Sequence, residues 1–248
     1  MKSLRRILEA PKVQLLLLLS VLALVEVVEH PGANQRLLQP AVAVAAAVMA
    51  EWAFFGPVSS TYLHSAAVSG MLVGMISAPG VSPKIVWLAA VAAIASKKLL
   101  VSRPGRHIFN PAAFGLVLAM LLFGNQLNWW GDSSSVILIL GAGFILFRLR
   151  RTSLVFSYFI VRSLSVFLLD GPMSLSDMLL APNLFFAFVM VVEPKTSPSA
   201  RLDQWLFGGL CGVLATLSYH WLPSFDGDLL ALLVANLARP ILERPLSR

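Results

Sequence analysis

One cysteine, Cys211, occurs in 248 residues, and it lies inside a hydrophobic run. An internal disulfide is therefore excluded, as is a cysteine-ligated iron–sulfur cluster. A buried, inert thiol is the expected role. Charge is also scarce, at 12% of residues. No strand-borne G-x-G-x-x-G, no P-loop and no soluble domain can be found. The chain cannot oxidise a nicotinamide nucleotide alone: it needs a reductase partner, or it is not a redox protein. What it has instead is apolar sequence. Hydrophobic residues make up 58% of the chain, where a soluble domain is nearer half, and the mean hydropathy is +0.81. The excess recurs as runs of roughly 15–20 residues, the length that crosses a bilayer core.

These features predict an all-α, polytopic membrane protein in one domain. Ten spans are expected, at about 13–28, 40–55, 64–78, 85–100, 111–127, 136–147, 154–169, 179–192, 205–222 and 229–242. The first is preceded by "MKSLRRILEAPK" and ends in Glu26, Glu29 and His30 without a small-residue cleavage site. It reads as a retained helix and not a signal peptide. Several spans are short, so tilted or broken helices are expected.

The net charge of +7 does not point to nucleic acid, because the basic residues follow alternate loops. Of the 19 Lys and Arg, all but Arg36, Lys84 and Arg162 fall on one side of this ten-span arrangement. That bias predicts a cytoplasmic location for the crowded side and for both termini, in a bacterial or archaeal cytoplasmic membrane. Ten spans divide into two fives, about 12–130 and 131–245, and an odd-numbered unit repeats upside down. The third span opens with the polar, glycine-rich "STYLHSAAVSGMLVGMISAP". Its counterpart, the eighth, is interrupted by Pro182-Asn183. Paired interruptions point to a midplane site, though two ordinary irregular helices would look the same.

Two polar stretches at the crowded side stand out. The first is "RPGRHIFNPAAFG", residues 103–115, where the fifth span begins. Pro111 suits a first helical turn and Asn110 an N-cap. The second, "VVEPKTSPSAR", closes the eighth span with Glu193, Lys195, Thr196 and Ser197. Together they could form one site for an anion or a phosphorylated cofactor. The bland alternatives are a helix cap and topology signals. No metal site and no catalytic residue is expected.

"GRHIFNPAAFG", "FVMVVEPKTSP" and "FDGDLLALLVANLARPILERP" resemble motifs of the NqrB/RnfD family. These are the flavin-carrying membrane subunits of sodium-pumping NADH:quinone oxidoreductase and of Rnf electron-transport complexes. The resemblance runs in order from the second span to the tenth. It implies two inverted five-helix repeats, a bound flavin (FMN or riboflavin), and electron transfer to other electron-transport subunits or from a reductase. Ion translocation is a process such transfer could drive. The residues it singles out for cofactor binding are Arg106, His107, Phe109, Asn110, Pro111, Glu193, Lys195, Thr196 and Ser197. Phe109, Phe185 or Phe186 could flank the isoalloxazine ring, or simply pack against lipid or core.

One departure bears on how the flavin is held. Family members carry FMN joined to a threonine in an outer motif resembling S-[GQ]-A-T. Here the corresponding loop is "GNQLNWWGDSSS", and the threonines are Thr61, Thr152, Thr196 and Thr216. None maps to an outer loop, so a noncovalent flavin is expected, and Ser133, Ser134 and Ser135 are read as the start of the sixth span. Glu51, inside the second span, is an intramembrane acid and so a functional suspect, or a side chain reaching the interface. His64 and His107 share one face and His220 the other, so no haem-ligating pair is expected. Trp129, Trp130 and Trp221 read as an interfacial aromatic belt among membrane lipids. The rival reading of the whole chain is a transporter or channel for a small solute, an ion or a flavin, since one fold serves many functions.

Overall fold

The structure is a computed structural model that describes residues 10–30, 36–56, 60–103, 106–132, 134–171 and 174–243. It is a bundle of helices with one two-stranded hairpin. In chain order the elements are α1 (Pro11–Glu29), α2 (Leu38–Phe55), α3 (Ser60–Ile76), α4 (Pro83–Leu99), β1 (Val101–Arg103), β2 (Arg106–His107), α5 (Pro111–Phe123), α6 (Ser135–Leu149), α7 (Thr152–Asp170), α8 (Leu175–Leu180), α9 (Arg201–Trp221) and α10 (Gly227–Leu242). A π-helical turn, Phe186–Met190, lies between α8 and α9. Helix or π turn occupies each of the ten expected positions. Among the described residues, three helices, α1, α2 and α7, are long and apolar enough to cross a membrane by length and composition.

Local chemistry sets the ends. Prolines open α1, α4 and α5, where their missing N–H costs nothing. Ser174 and Asp226 cap α8 and α10 through their side chains. The fifth helix stops at Phe123, short of the expected 127, because Gly124 turns left-handed (φ 64°). The chain beyond it pairs with the end of α3. Ala78 N–H donates to Gln126 O at 2.9 Å, and Asn128 N–H to Ile76 O at 2.8 Å. The eighth span breaks where Pro182-Asn183 stand. It becomes α8, a bend, and the π turn, with the Asn183 side chain accepting from Phe186 N–H at 2.7 Å.

The core is built from small residues. Ala43, Ala46, Ala47, Ala89, Ala90 and Ala93 are buried, and such residues let membrane helices approach backbone to backbone. A Cβ on Gly70 would lie 2.6 Å from Ala43 O, and one on Gly212 would lie 2.8 Å from Arg162 N. No side chain fits there, so α3 is pressed onto α2 and α9 onto α7. The packing pattern recurs after five spans. Helix α4 packs on α2 and α5, as α9 packs on α7 and α10; α1 packs on α3, as α6 packs on the π turn. Large apolar side chains such as Trp52, Leu122, Leu140, Phe147, Phe156 and Leu168 are exposed around the periphery. That much exposed apolar surface marks a lipid-facing wall.

Charge sorts the two ends of the bundle. Lys12, Lys97, Arg106, Arg151, Lys195 and Arg239 are linked through contacts at one end. At the other, Arg36 pairs with Glu26, His220 with Asp170 at 2.6 Å, and Trp129 donates to Asp226 at 2.6 Å.

Candidate functional site

The basic end holds the two motifs together through one asparagine. Asn110 caps α5, its Oδ1 accepting from Ala113 N–H at 3.1 Å. Its Nδ2 donates to Met190 O at 3.1 Å, and its own N–H donates to Asn236 Oδ1 at 2.8 Å. Asn236 in turn donates from Nδ2 to Thr196 O at 3.2 Å. One residue thus ties α5, the π turn and α10 into a buried clasp. The π turn supplies its part by geometry. Met190 is its last residue, so Met190 O has no helical partner and is the carbonyl that Asn110 takes.

Downstream of the π turn the chain folds into a tight polar loop. Ser197 donates to Glu193 O at 2.7 Å, while Arg151 donates to Ser197 Oγ at 2.5 Å and to Pro198 O at 2.7 Å. Arg239 donates to Lys195 O at 2.5 Å and to Glu243 at 3.0 Å. The Glu193 carboxylate meets His107 Nε2 at 3.3 Å through one oxygen and accepts from Thr196 Oγ1 at 3.3 Å through the other. Burial pushes this carboxyl up. The His107 contact and the nearby Lys97 and Lys12 charges more than offset that, and it rests below the usual carboxylate range.

A cavity of about 560 Å³ opens beside this loop, between α1, α3, α5, α6 and the π turn. Its volume falls within the range of small-molecule sites, roughly 300–1,000 Å³. On α3 the wall runs from His64 to Leu72, about 12 Å of helix rise. Polar groups gather at the bundle end: Lys12, His64, Ser65, Glu193 and Lys195. Apart from Ser69 and Asn110 the rest of the wall is apolar, including Val68, Leu72, Ala142, Ile145 and Phe188.

Of the nine residues expected from sequence, Asn110, Pro111, Glu193 and Lys195 line this cavity. His107 and Thr196 stand behind Glu193 and fix it. Ser197 is fully buried under Arg151. Arg106 turns outward to Glu243 at 3.6 Å. Phe109 stacks on Phe114, with ring centroids 5.7 Å apart. Phe185 and Phe186 are wholly buried against Trp129 and Tyr158, away from the lining. The aromatic ring in the wall is Phe188. His220 lies at the opposite end from His64 and His107, bonded to Asp170.

Sequence reasoning singled out the start of the third span but named no residue of α1 or α3 for cofactor binding. Lys12 donates to Ser65 Oγ at 2.6 Å. Lys97 donates to Ser65 O at 3.3 Å and sits 3.7 Å from the buried Glu51. Lys12 and Lys97 were read as topology charges only. A hint was available for Lys97, which falls inside the fourth apolar run, 85–100; Lys12 directly precedes the first run and gave none.

Among the described residues of the loop where family members carry a threonine-linked flavin, Trp130–Asp132 form a 3₁₀ turn, with Trp130 buried. Ser135 begins α6, as expected, and Ser134 is buried just before it. Ser133 lies outside the described residues. Thr216 sits within α9, donating to Gly212 O at 3.0 Å.

A model of the NQR2, RnfD, RnfE family matches residues 8–135 and 129–248. The two matches span nearly the whole chain and include both motifs of the clasp. The chain belongs to the NQR2, RnfD, RnfE family and is a multi-pass membrane protein of the kind that serves as a membrane subunit in Rnf- and Nqr-type complexes.

Proposed function

We propose that the protein binds a flavin noncovalently in the cavity beside the Asn110–Glu193 clasp and passes electrons within a respiratory complex. The observation that supports this most is the joining of the two motifs at one cavity with graded walls. Apolar side chains and the Phe188 ring suit the hydrocarbon edge of an isoalloxazine. His64 and Lys195 make no side-chain hydrogen bond to another described residue, which leaves their polar atoms available to a ligand. A bound flavin would supply one- and two-electron redox chemistry. The chain's own part is positional. The clasp fixes Pro111 and the start of α5 against the π turn, the π turn sets Phe188 in the wall, and His107 with Thr196 holds Glu193 ionised at the rim. In this reading the basic end faces the cytoplasm, the two five-helix halves are inverted repeats, and electrons reach the flavin from a partner subunit.

The test is the absorption spectrum of the protein purified without denaturation. A flavin band bleached by dithionite is expected. After denaturation the flavin should appear in the supernatant, with no fluorescent protein band on a denaturing gel. A colourless protein that takes up no added flavin would refute the reading. A fluorescent band with the mass raised by one FMN would refute noncovalent binding and point first to Ser133, Ser134 or Ser135.

A further inference from the structure

A second cavity lies on the outside of the bundle, at the end away from the basic cluster. It is a groove of about 410 Å³ between the opening turns of α2 and α4, lined by Val42, Pro83, Lys84, Trp87 and Leu88. Gln39 holds the two helix starts side by side, its Nε2 donating to Val81 O at 2.7 Å and to Pro79 O at 3.2 Å. Lys97 marks the basic end of α4, about 20 Å further along its axis. Lys84 is exposed, and its ammonium has no hydrogen bond and no carboxylate within ion-pair distance among the described residues. Two general tendencies oppose a cation there. The charge bias leaves few cations at this end, and Arg36, another of them, is neutralised by Glu26. Lys84 also stands in the first turn of α4, where the helix dipole disfavours positive charge. An anion held at Lys84 offsets both.

The surface below Lys84 is ordered by chemistry. Trp87 and Leu88 follow at i+3 and i+4 on the same face of α4, each 41% exposed. The Trp87 indole N–H makes no hydrogen bond among the described residues, and indoles of this kind sit at the headgroup level of a bilayer. One turn further in, Ala45 on α2 and Val91 on α4 continue the faces of Val42 and Leu88. Ala45 is exposed, and its short side chain keeps the trough open. From the rim inward the groove presents a cation, a neutral donor and a hydrocarbon trough. A glycerophospholipid presents a phosphate, ester carbonyls and an acyl chain in the same order. We propose that the groove binds one anionic phospholipid, with its phosphate on Lys84, an ester carbonyl on Trp87 Nε1 and an acyl chain along Leu88, Val42 and Val91. An anionic head is selected over a zwitterionic one, because the latter brings a second cation to a place that already holds one. The groove shares no residue with the cavity beside Glu193, and its occupant needs no flavin.

The test is native mass spectrometry of the full-length protein in detergent, with an equal mixture of phosphatidylglycerol and phosphatidylethanolamine added. Wild type should retain one phosphatidylglycerol in preference to phosphatidylethanolamine. Lys84→Gln should weaken phosphatidylglycerol binding by about tenfold or more, the worth of one charge-assisted contact, and leave phosphatidylethanolamine binding as it was. Trp87→Phe keeps the ring and deletes the donor, so it should weaken both lipids alike, by roughly twofold to tenfold. Arg148→Gln removes an exposed cation of α6 that lies outside the groove and should change neither. Equal retention of the two lipids by wild type would overturn the proposal in favour of a nonselective lipid annulus. Phosphatidylglycerol held as tightly by Lys84→Gln as by wild type would overturn it too, and so would an equal loss in Arg148→Gln.

Discussion

Asn110 shows how one residue type serves structure before chemistry. Its amide is engaged at both ends by Ala113 N–H and Met190 O. Asn110→Ala therefore removes a cap and strands a buried carbonyl, a loss of about 2 kcal/mol or more. Thermal unfolding in detergent should show a midpoint several degrees lower even with no flavin present. An unchanged midpoint would mean that the clasp contributes nothing. Glu193 is the complementary case, a residue whose charge state matters. Its carboxyl is held below the unfolded value of about 4.3, with burial opposed by His107 and the lysines. A group depressed in the folded state contributes fully above its unfolded value and loses that contribution as pH falls through the folded one. Stability should accordingly fall as pH drops below about 4, and Glu193→Gln should flatten that slope. Parallel slopes for wild type and variant would remove Glu193 from the account.

At the level of elements, contact distances decide more than hydropathy does. Helices α7 and α9 meet where Gly212 has no Cβ, and a Cβ there would stand 2.8 Å from Arg162 N and 3.1 Å from Tyr158 O. Those atoms are backbone and cannot swing aside. Gly212→Val should push the pair apart, and a monodisperse peak in size-exclusion chromatography should be lost. Exposed Gly80, with open space around it, is the control: Gly80→Ala should elute as wild type does. The π turn is the second decisive element. A sixth residue in its hydrogen-bonded ring breaks the α-helical spacing, which is why Phe188 lines the cavity while Phe185 and Phe186 point into the aromatic core with Trp129 and Tyr158.

For the whole molecule, the sorting of charge between the two ends carries the orientation. The basic end should be cytoplasmic, because positive loops stay on the side of synthesis. Ser199 is exposed at that end, and Ser176 is exposed in α8 on the far side of the broken eighth span. In a Cys211→Ala background, Ser176→Cys should react with an impermeant maleimide added outside intact cells. Ser199→Cys should react only after the membrane is opened. Outside labelling of both would overturn the orientation.

The helical membrane class, the ten segments, the break at Pro182-Asn183 and the two polar motifs were all legible in the sequence. They rest on local physics: run length against bilayer thickness, proline's missing donor, and the placement of charge in loops. Asn110 as a cap was legible for the same reason. The partners of these groups were not. Nothing in the spacing of Asn110 and Asn236 says that they bond across 126 positions, nor that Lys12 from the first helix meets Ser65 and Lys195 at one cavity. Those meetings depend on which small residues let which helices touch, as at Gly70 and Gly212, and on how far one π turn rotates a side chain. The sequence by itself determined the elements and their polarity. Only the tertiary structure decided which motif residues face the cavity and which stand behind it as supports, because that choice is made by non-local packing.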